Sequence, residues 1–503
     1  MQEPSANNKK TLRDRGICVV IPTSGNAETI SDVVHRTLAQ CLDVIVVSDG
    51  STDGTLDILR GIDGITIVSY EKNAGKGTAL QRGFRKALEM GFAYAVTLDA
   101  DGQHFPEDIP VMLHANQEHP GALIVGERMG LDEAERSRGS KFANAFANFW
   151  FAIQTGHRLR DTQTGFRLYP LKKLHGLSLL TSRYEAELEL LVFASWHGVK
   201  LVSVPVRVYY PAPEERVSYF RPVRDFSRIF VLNTVLCFLA VVYGLPLTIW
   251  RGLMTFLRSA YSLLFFLFSI SFIVTPAAMF WLTFVKDLEK KRLGIHKMLC
   301  FLARFVTIWH GIPGVRFSAS NPHNEDFRKP AIIICNHQSH LDLMVMLMQT
   351  PKLVVLTKDW VWNNLLYGYV IRNAEYYPVS WGAGILLPKL RSLIDRGYSI
   401  VIYPEGTRSP DCSISRFHSG AFYLAKELNV DILPLVLYGA GKALPKRGKF
   451  LRKWPIRIEI DSRISPEDML LTYGDSLRAQ ASGLRKYYKE RYTEIANRVE
   501  QDV

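Results

Sequence analysis

The sequence predicts two α/β domains joined by a strongly apolar helical segment. Short apolar runs alternate with helical patterns over residues 17–126, and a second alternating series begins near residue 331. Between them, residues 229–250 and 259–285 contain no Asp, Glu, Lys, Arg or His. Alternation of strands and helices is typical of parallel sheets with right-handed crossovers. The length of 503 residues fits two or three domains.

The first α/β domain is predicted over residues 16–228, after a polar N-terminal tail at 1–15. Its strands are the apolar runs ICVVI (17–21), DVIVV (43–47), ITIVSY (65–70), AYAVTLD (93–99) and ALIVG (122–126). Helical patterns fall between them at 27–40, 54–61, 77–90 and 107–117. Because ligands of parallel sheets bind beyond the carboxyl ends of the strands, polar residues directly after these runs are the candidate site residues.

Residues 229–285 are predicted to form a membrane-embedded helix pair. At about 1.5 Å per residue, each apolar stretch can cross a hydrocarbon core roughly 30 Å thick. The positive-inside tendency predicts a hairpin with both flanks, and therefore both large domains, at the cytoplasmic side of the membrane. This prediction depends on the basic flanks Arg221, Arg224, Arg228, Lys286, Lys290, Lys291 and Arg292. The alternatives are a helix pair that lies in the interface without crossing, and a buried soluble core.

Composition narrows the possible functions. The six cysteines show no paired short spacing, which argues against a zinc site or a disulfide framework and suits a reducing compartment. The polar start of the chain predicts no cleaved secretory signal. The net charge is +13, yet no nucleic-acid-binding motif appears, so we expect no nucleic-acid partner. Six basic residues between Lys442 and Lys453 indicate either a solvated face or a surface for anionic lipid or an acidic carrier protein.

Acidic residues follow the second and fourth predicted strands of the first domain. Asp49 ends one of these strands, and Asp99 and Asp101 lie at the end of the other. Paired carboxylates suit a hard divalent cation, which can take up the charge of a diphosphate. The segment at 73–77, Asn-Ala-Gly-Lys-Gly, follows the third strand, and its glycines permit close approach of the backbone to a ligand.

Four segments together resemble the family 2 glycosyltransferases of GT-A fold: IPT (21–23), SDGSTDGT (48–55), NAGKGTAL (73–80) and LDADGQH (98–104). Three more are similar to the dolichyl-phosphate mannose synthase branch: GER (126–128), DTQTGFR (161–167) and YEAELELL (184–191). The resemblance covers about residues 16–230. It implies a Rossmann-like GT-A domain that transfers a sugar, with inversion, from a nucleotide-sugar to a lipid phosphate or hydroxyl.

The resemblance also implies roles on the donor side. Asp49 is expected to bind the nucleotide, and Gln103 to help place the donor. Asp99 and Asp101 are expected to hold Mg²⁺ or Mn²⁺ beside the diphosphate. One departure is that Ser48 stands where the family usually has an aspartate, which bears on the identity of the nucleotide.

On the acceptor side, the resemblance places Arg128, Asp161 and Gln163. A phosphate acceptor is already ionised at neutral pH and needs no strong general base, whereas a hydroxyl acceptor does. Asp161 is the candidate general base for that second case.

The second α/β domain is predicted over residues 286–470, followed by a charged C-terminal helix at 471–503. Its strands are AIIIC (331–335), LVVLT (353–357), SIVIY (399–403) and DILPLVLY (431–438). His337 and Asp342 follow the first of these strands, five positions apart, so that the start of a helix can bring them into contact. A histidine oriented by a carboxylate can deprotonate an alcohol that attacks an acyl thioester.

Three segments of this half resemble the glycerolipid acyltransferases related to 1-acylglycerol-3-phosphate O-acyltransferase: NHQSHLD (336–342), YPEGTRS (403–409) and ILPLVLYG (432–439). The resemblance covers about residues 260–460. It implies direct transfer from acyl-CoA or acyl carrier protein, without a covalent acyl-enzyme and without a cofactor. His337 is the implied general base, Asp342 is its partner, and His340 is expected to be structural.

The same resemblance implies a site for the phosphate of the acceptor. Its residues are Glu405, Gly406, Thr407 and Arg408, with Lys358 as a further positive charge. One departure is that Ser380-Trp381 stands where the family usually has an arginine.

These expectations combine into a bifunctional, membrane-associated, lipid-modifying enzyme whose two donors are both made in the cytoplasm. Two rival hypotheses remain open. In one, only the acyltransferase is active and the first domain senses a nucleotide-sugar. In the other, the chain is a membrane scaffold for lipid or pigment assembly and catalyses nothing.

Overall fold

The computed structural model describes residues 6–129, 138–209, 222–309, 312–365 and 368–500. The chain divides into two compact units between Gly252 and Leu253, the second of which covers Leu253–Val499. Each unit contains one β-sheet flanked by helices, so the predicted pair of α/β domains is confirmed.

The sheet of the first unit has seven strands, in the order β3-β2-β1-β4-β6-β5-β7. All neighbours are parallel except those that involve β6. The strands are β1 Ile17–Thr23, β2 Val44–Asp49, β3 Ile65–Tyr70, β4 Tyr94–Thr97, β5 Leu123–Arg128, β6 Arg167–Pro170 and β7 Leu201–Val206. The five strands read from the sequence are confirmed, and β6 and β7 are additional.

Helices cover both faces of this sheet. Val19 and Ile21 of β1 pack into one apolar core, while Cys18 and Val20 pack into the other, because successive side chains of a strand point to opposite faces. Residues 6–14, expected as part of a polar tail, form a helix whose Leu12 is buried in the first core. The helices are α1 Ala6–Asp14, α2 Ile30–Gln40, α3 Thr55–Arg60, α4 Lys76–Glu89, α5 Ile109–Glu118, α6 Arg138–Thr155, α7 Leu171–Leu174 and α8 Glu185–Trp196.

The apolar segment is one continuous helical run. It comprises α9 Pro222–Leu239, α10 Leu245–Phe268 and α11 Thr275–Phe284, with π-helical turns at 240–244 and 269–274. Among the described residues, Ser227–Phe284 is the one helix that could cross a membrane by length and composition. Its most apolar window has a mean hydropathy of 2.2, and 22% of that window is buried.

The predicted hairpin is therefore wrong. A hairpin needs a turn between the two apolar stretches, but residues 251–258 are helical within α10. This link contains no proline and a single glycine, and its leucines, methionine and arginines are good helix formers. Pro246 and Pro276 each follow a π-helical turn directly, so the hydrogen-bond pattern of the continuous run changes where the proline N–H is missing. Of the basic flank, Arg221 lies outside the described residues.

The sheet of the second unit has six strands, in the order β10-β11-β9-β12-β13-β8. The four strands from β10 to β12 are parallel, and β13 runs antiparallel to β12. The strands are β8 Phe317–Ser320, β9 Ile332–Cys335, β10 Leu353–Val355, β11 Ser399–Ile402, β12 Ile432–Tyr438 and β13 Ile456–Ile460. The four strands read from the sequence are confirmed, and β8 and β13 complete one edge.

Helices and one large apolar core surround this second sheet. The helices are α12 Leu288–Arg304, α13 Leu341–Leu347, α14 Asp359–Trp362, α15 Gly368–Asn373, α16 Gly382–Asp395, α17 Gly420–Leu428, α18 Ala440–Ala443, α19 Pro466–Tyr473 and α20 Leu477–Glu500. The expected charged C-terminal helix is α20, and it belongs to the core. Its Leu484, Tyr488 and Ile495 are fully buried.

Tyr488 provides a direct test of how α20 stabilises this sheet. Its hydroxyl donates to the carbonyl of Ile334 at 2.6 Å and accepts from the amide of Leu435 at 3.1 Å. Tyr488→Phe removes both of these buried hydrogen bonds, each worth about 0.5–1.5 kcal/mol, so we expect the free energy of unfolding to fall by about 1–3 kcal/mol. Urea denaturation of the detergent-solubilised protein measures this change. Tyr369→Phe, at an exposed tyrosine, is the control, and equal stability of the two variants would contradict the assignment.

Candidate active sites

Asp49 holds the glycine-rich loop of the first unit in place. It is buried at the carboxyl end of β2, and its two carboxylate oxygens accept the amides of Ala74 and Gly75 at 2.7 and 2.8 Å. Gly75 has a φ of 96°, and a Cβ there would lie 2.6 Å from the carbonyl oxygen of Ser182. Asp49 thus binds the loop that follows β3, and its expected role in binding a nucleotide stays a prediction.

Asp99 lies at the same edge of the sheet in an ion-pair cluster. The ammonium of Lys76 is 2.6 Å from Asp99 Oδ1 and 2.8 Å from Glu187 Oε2. Burial alone would lower the pKa of Lys76, but the charges of Asp99 and Glu187 outweigh it and raise that pKa. Lys76 is therefore a permanent cation that offsets part of the negative charge at this strand end.

Of the two carboxylates, Asp99 is paired with Lys76, whereas no cation among the described residues lies at ion-pair distance from Asp101. Its Oδ1 accepts the amide of Gln103 at 3.0 Å, and the residue borders a cavity of about 420 Å³ together with Thr29 and Arg36. Desolvation and the neighbouring charge of Asp99 raise the pKa of Asp101 to about 6. A hard cation is favoured where carboxylates repel one another in this way, so the donor set fits a divalent ion.

The described residues contain no group of three or more acidic, histidine or cysteine side chains arranged to hold a metal. A cation bound at Asp99 and Asp101 would therefore take its remaining ligands from molecules other than these side chains. Diphosphate oxygens and water are the usual source of the remaining oxygens for Mg²⁺.

His104 completes the buried part of the site. Its ring packs 5.6 Å from that of Phe166, and its Nδ1 lies 3.9 Å from Asp99 Oδ2 and has no hydrogen-bond partner in the described part of the chain. Burial lowers the pKa of His104 to about 4, so the imidazole is neutral at physiological pH.

Arg128 and Asp161 form a bidentate pair, although 33 residues separate them in the sequence. Arg128 Nε and Nη2 lie 2.6 and 2.9 Å from the two carboxylate oxygens, and the amide of Gln163 donates to Asp161 Oδ1 at 3.2 Å. Asp161 is fully buried, whereas Gln163 is exposed. These contacts show a carboxylate that orients Arg128, and its expected role as a general base stays a prediction.

In the second unit, His337 and Asp342 are in direct contact. His337 follows β9, Asp342 lies in the first turn of α13, and Nδ1 is 2.8 Å from Oδ2. The same oxygen accepts the amides of Gln338 and Ser339 at 2.6 and 2.8 Å. Asp342 is fully buried, while the imidazole is partly exposed. The predicted pair is thus assembled, with the carboxylate fixed by the main chain.

Two further contacts orient the imidazole. Its ring stacks on that of Tyr403, with centroids 4.2 Å apart and planes 24° apart. Glu405 accepts the amides of His337 and Ser415 at 2.9 and 3.0 Å. Burial raises the pKa of Glu405. Glu405 therefore holds the loop that carries His337, and the place expected for it in a phosphate site stays a prediction.

The other residues of the expected phosphate site are accessible. Gly406 and Thr407 are exposed, and Gly406 turns the chain with a φ of 65°. Lys446 joins them, because its ammonium donates to the hydroxyl of Thr407 at 3.2 Å and to the carbonyl of Arg408 at 2.6 Å. Lys358 lies at the same edge, after β10, and is exposed.

Four residues of these two sites have no role among the expectations from the sequence: Lys76, His104, Glu187 and Lys446. Three of them lie inside segments that were singled out as motifs, so the signal was present without a role for the individual side chain. Lys446 lies in the basic cluster at 442–453, where nothing local distinguishes it from its neighbours.

The two halves of the chain match two different family models. Residues 18–174 match "Glycosyl transferase family 2", and residues 316–438 match "Acyltransferase". The chain is 28% identical to UDP-N-acetylglucosamine--dolichyl-phosphate N-acetylglucosaminyltransferase of Methanococcus voltae, over 40% of this chain and 88% of that protein. It is 30% identical to polyprenol monophosphomannose synthase of Mycolicibacterium smegmatis, over 37% of this chain and 75% of that protein.

A relative of the second half is a 1-acyl-sn-glycerol-3-phosphate acyltransferase of Chlamydomonas reinhardtii, 30% identical over 33% of this chain. The match spans about half of that relative, 52% of its length. Through its N-terminal half the chain belongs to the family 2 glycosyltransferases, and in the same polypeptide it carries an acyltransferase domain.

Proposed function

We propose that this protein is a bifunctional lipid-modifying enzyme. One domain transfers a sugar, with inversion, from a nucleotide-sugar to a lipid acceptor, and the other transfers an acyl group from acyl-CoA or acyl carrier protein to a glycerolipid-type hydroxyl. The observation that carries the proposal is that each domain assembles a separate set of reactive side chains at the carboxyl edge of its own sheet.

For sugar transfer, the supporting geometry is the strand-end cluster around Asp99. Asp101 provides a carboxylate at the edge of the cavity, Lys76 provides a cation in contact with Asp99, and Asp49 holds the glycine-rich loop at the same edge of the sheet. When bound at Asp99 and Asp101, Mg²⁺ or Mn²⁺ would neutralise the diphosphate of the donor. Arg128, oriented by Asp161, supplies a guanidinium that suits a phosphate-bearing acceptor.

The names of the relatives support a lipid phosphate as the sugar acceptor. Both are named for transfer to a polyprenyl lipid, dolichyl phosphate in one and a polyprenol in the other. Asp161 has both oxygens engaged by Arg128, which leaves it poorly placed to remove a proton. A phosphate acceptor, which needs no such base, is therefore the acceptor we favour.

For acyl transfer, we propose that His337 is the general base. Because Asp342 accepts the Nδ1 hydrogen, Nε2 carries the free lone pair and can take the proton of the acceptor hydroxyl. The oxygen then bonds to the thioester carbon, the carbon–sulfur bond breaks, and the departing thiolate recovers the proton from the imidazolium. Asp342 stabilises the imidazolium during the reaction without taking the proton.

Both donors are made in the cytoplasm, so we propose that both catalytic domains lie there at the cytoplasmic membrane. Exposed phenylalanine, valine and leucine side chains along Ser227–Phe284 support attachment to lipid. A single crossing would leave one domain without its donor. We therefore favour a helix that is embedded at the cytoplasmic side.

The sugar-transfer site is tested by Asp101→Ala. Loss of a carboxylate at the diphosphate site should reduce sugar transfer to lipid by about 100-fold or more and leave acyl transfer intact. Chelation with EDTA should likewise abolish sugar transfer only, and added Mn²⁺ or Mg²⁺ should restore it. Radiolabelled sugar incorporation into extracted lipid measures both effects.

Asp57→Ala is the matched control, because Asp57 is an exposed aspartate on α3 of the same unit. Normal sugar transfer by Asp101→Ala, or equal loss in both variants, would contradict the assigned site. Unchanged lipid products in the presence of EDTA would contradict the cation.

The acyl-transfer site is tested by His337→Ala. General-base catalysis contributes about 10²–10⁴-fold, so acyl transfer should fall by that amount while sugar transfer continues. His340→Ala, which changes an exposed histidine three positions away, should retain most of the activity. Thiol release from acyl-CoA measures the rate, and comparable activity of the two variants would contradict the assignment of His337.

A further inference from the structure

The loop between α18 and β13 is rich in positive charge. No acidic residue occurs between Asp431 and Glu459 in the sequence. The loop is closed by the amide of Arg452, which donates to the carbonyl of Ala443 at 2.8 Å. We call residues 447–453 the basic loop. Its exposed cations are Arg447, Lys449, Arg452 and Lys453.

The basic loop contacts the apolar helix α10. The amide of Leu451 donates to the hydroxyl of Ser259 at 2.7 Å, and the rings of Phe450 and Phe256 lie 6.3 Å apart. Both rings are exposed. Ser259 and Phe256 belong to the run Ser227–Phe284, which is apolar enough to enter a membrane. Positive and apolar side chains therefore share one surface of the second unit.

The sheet brings one further cation to this surface. Ile456 of β13 pairs with Phe317 of β8, so the segments that precede these two parallel strands run side by side. A Cβ at Gly314 would lie 2.7 Å from Nη1 of Arg258 and 2.7 Å from Cγ of Lys453. These two cationic side chains, one from α10 and one from the basic loop, therefore lie next to each other over Gly314.

The charge of Arg258 has no counter-charge beside it. Its Nη2 donates to the hydroxyl of Thr255 at 3.2 Å, and its buried Nε and Nη1 have no hydrogen-bond partner in the described part of the chain. Within the same residues, no carboxylate lies at ion-pair distance from Arg258 or Lys453. Neighbouring cations of this kind repel each other and raise the local positive potential, which favours an anionic partner.

The apolar neighbours of the basic loop narrow the choice of partner. An acidic carrier protein would match the cations, but it would offer no apolar medium to the exposed rings of Phe450 and Phe256. In an anionic bilayer the phosphates lie directly above the acyl chains. Such a surface accepts cations and apolar side chains together.

We propose that the basic loop, together with Arg258, binds the headgroups of anionic phospholipids as a membrane surface and not as substrates. The proposal goes beyond the two transfer reactions and rests only on the membrane attachment proposed above. The exposed lysines and arginines contact the lipid phosphates, while Phe450 and Phe256 enter the acyl region beneath them. The chain is thereby directed to membranes that are rich in anionic lipid.

The test places the purified full chain in nanodiscs made of equal parts of phosphatidylglycerol and phosphatidylcholine, without either donor. Native mass spectrometry identifies the lipids that stay bound when the protein is released from the nanodisc. The wild-type chain should retain about fivefold more phosphatidylglycerol than phosphatidylcholine. Lys449→Gln combined with Lys453→Gln removes two exposed cations of the loop and should roughly halve this ratio or lower it further. Arg258→Gln should lower the ratio as well, and Arg258→Lys, which keeps the charge, should retain most of it.

The matched control is Lys486→Gln combined with Lys489→Gln, which removes the same charge from exposed lysines of α20. This control should keep the wild-type ratio. An equal fall in the two double variants would show attraction by net charge alone and would overturn the proposal. Equal retention of both lipids by the wild-type chain would overturn it too.

A second arm titrates the wild-type chain with an acidic acyl carrier protein. Binding that is lost on combining Lys449→Gln with Lys453→Gln, while lipid retention stays unchanged, would assign the loop to that protein and refute the lipid surface. A wild-type chain that retains no lipid would contradict the membrane attachment, and this inference with it. Failure of sugar or acyl transfer would contradict the proposed function only, because the nanodiscs contain neither donor.

Discussion

Both sites depend on buried carboxylates held by main-chain amides. Asp49 binds two amides of the glycine-rich loop, Asp342 binds two amides directly after His337, and Glu405 joins the His337 loop to a neighbouring segment. A buried carboxylate is costly unless it is hydrogen-bonded, so each of these contacts stabilises both the charge and the loop that brings the amides to it. In Asp342 all of these contacts go to Oδ2, and the buried Oδ1 has no hydrogen-bond partner among the described residues. Loops that are otherwise free to move are therefore held in one arrangement at the strand ends.

The groups that face a substrate differ from these supports in one respect: their charges are incompletely compensated. The pKa of Asp101 is raised beside Asp99, and the partners of Lys446 within the described residues are uncharged. Uncompensated charge costs stability in the free protein, and a ligand of opposite charge recovers that cost on binding. The first unit accordingly suits a cation with a diphosphate, and the second suits an anionic acceptor.

The sequence was enough to predict where the main strands lie along the chain. It was also enough to predict that Asp99 and His337 lie at the ends of such strands. Apolar runs identify buried strands, and parallel strands bring the residues after them to one edge. It was insufficient for pairs that tertiary structure alone brings together, such as Lys76 with Glu187 or Arg128 with Asp161, because no local pattern records a distant partner. The hairpin was wrong because apolar stretches mark where membrane contact is possible, whereas the turn between them needed a helix-breaking sequence that residues 251–258 lack.

The central claim is that one chain contains two independent transferase centres. The most direct measurement is mass spectrometry of the lipids formed when the purified wild-type protein receives a nucleotide-sugar, acyl-CoA and a lipid extract together. The account predicts two kinds of new product, one heavier by a sugar and one heavier by an acyl chain, and each should disappear when its own donor is omitted. Formation of only one kind, or dependence of both on a single donor, would contradict it.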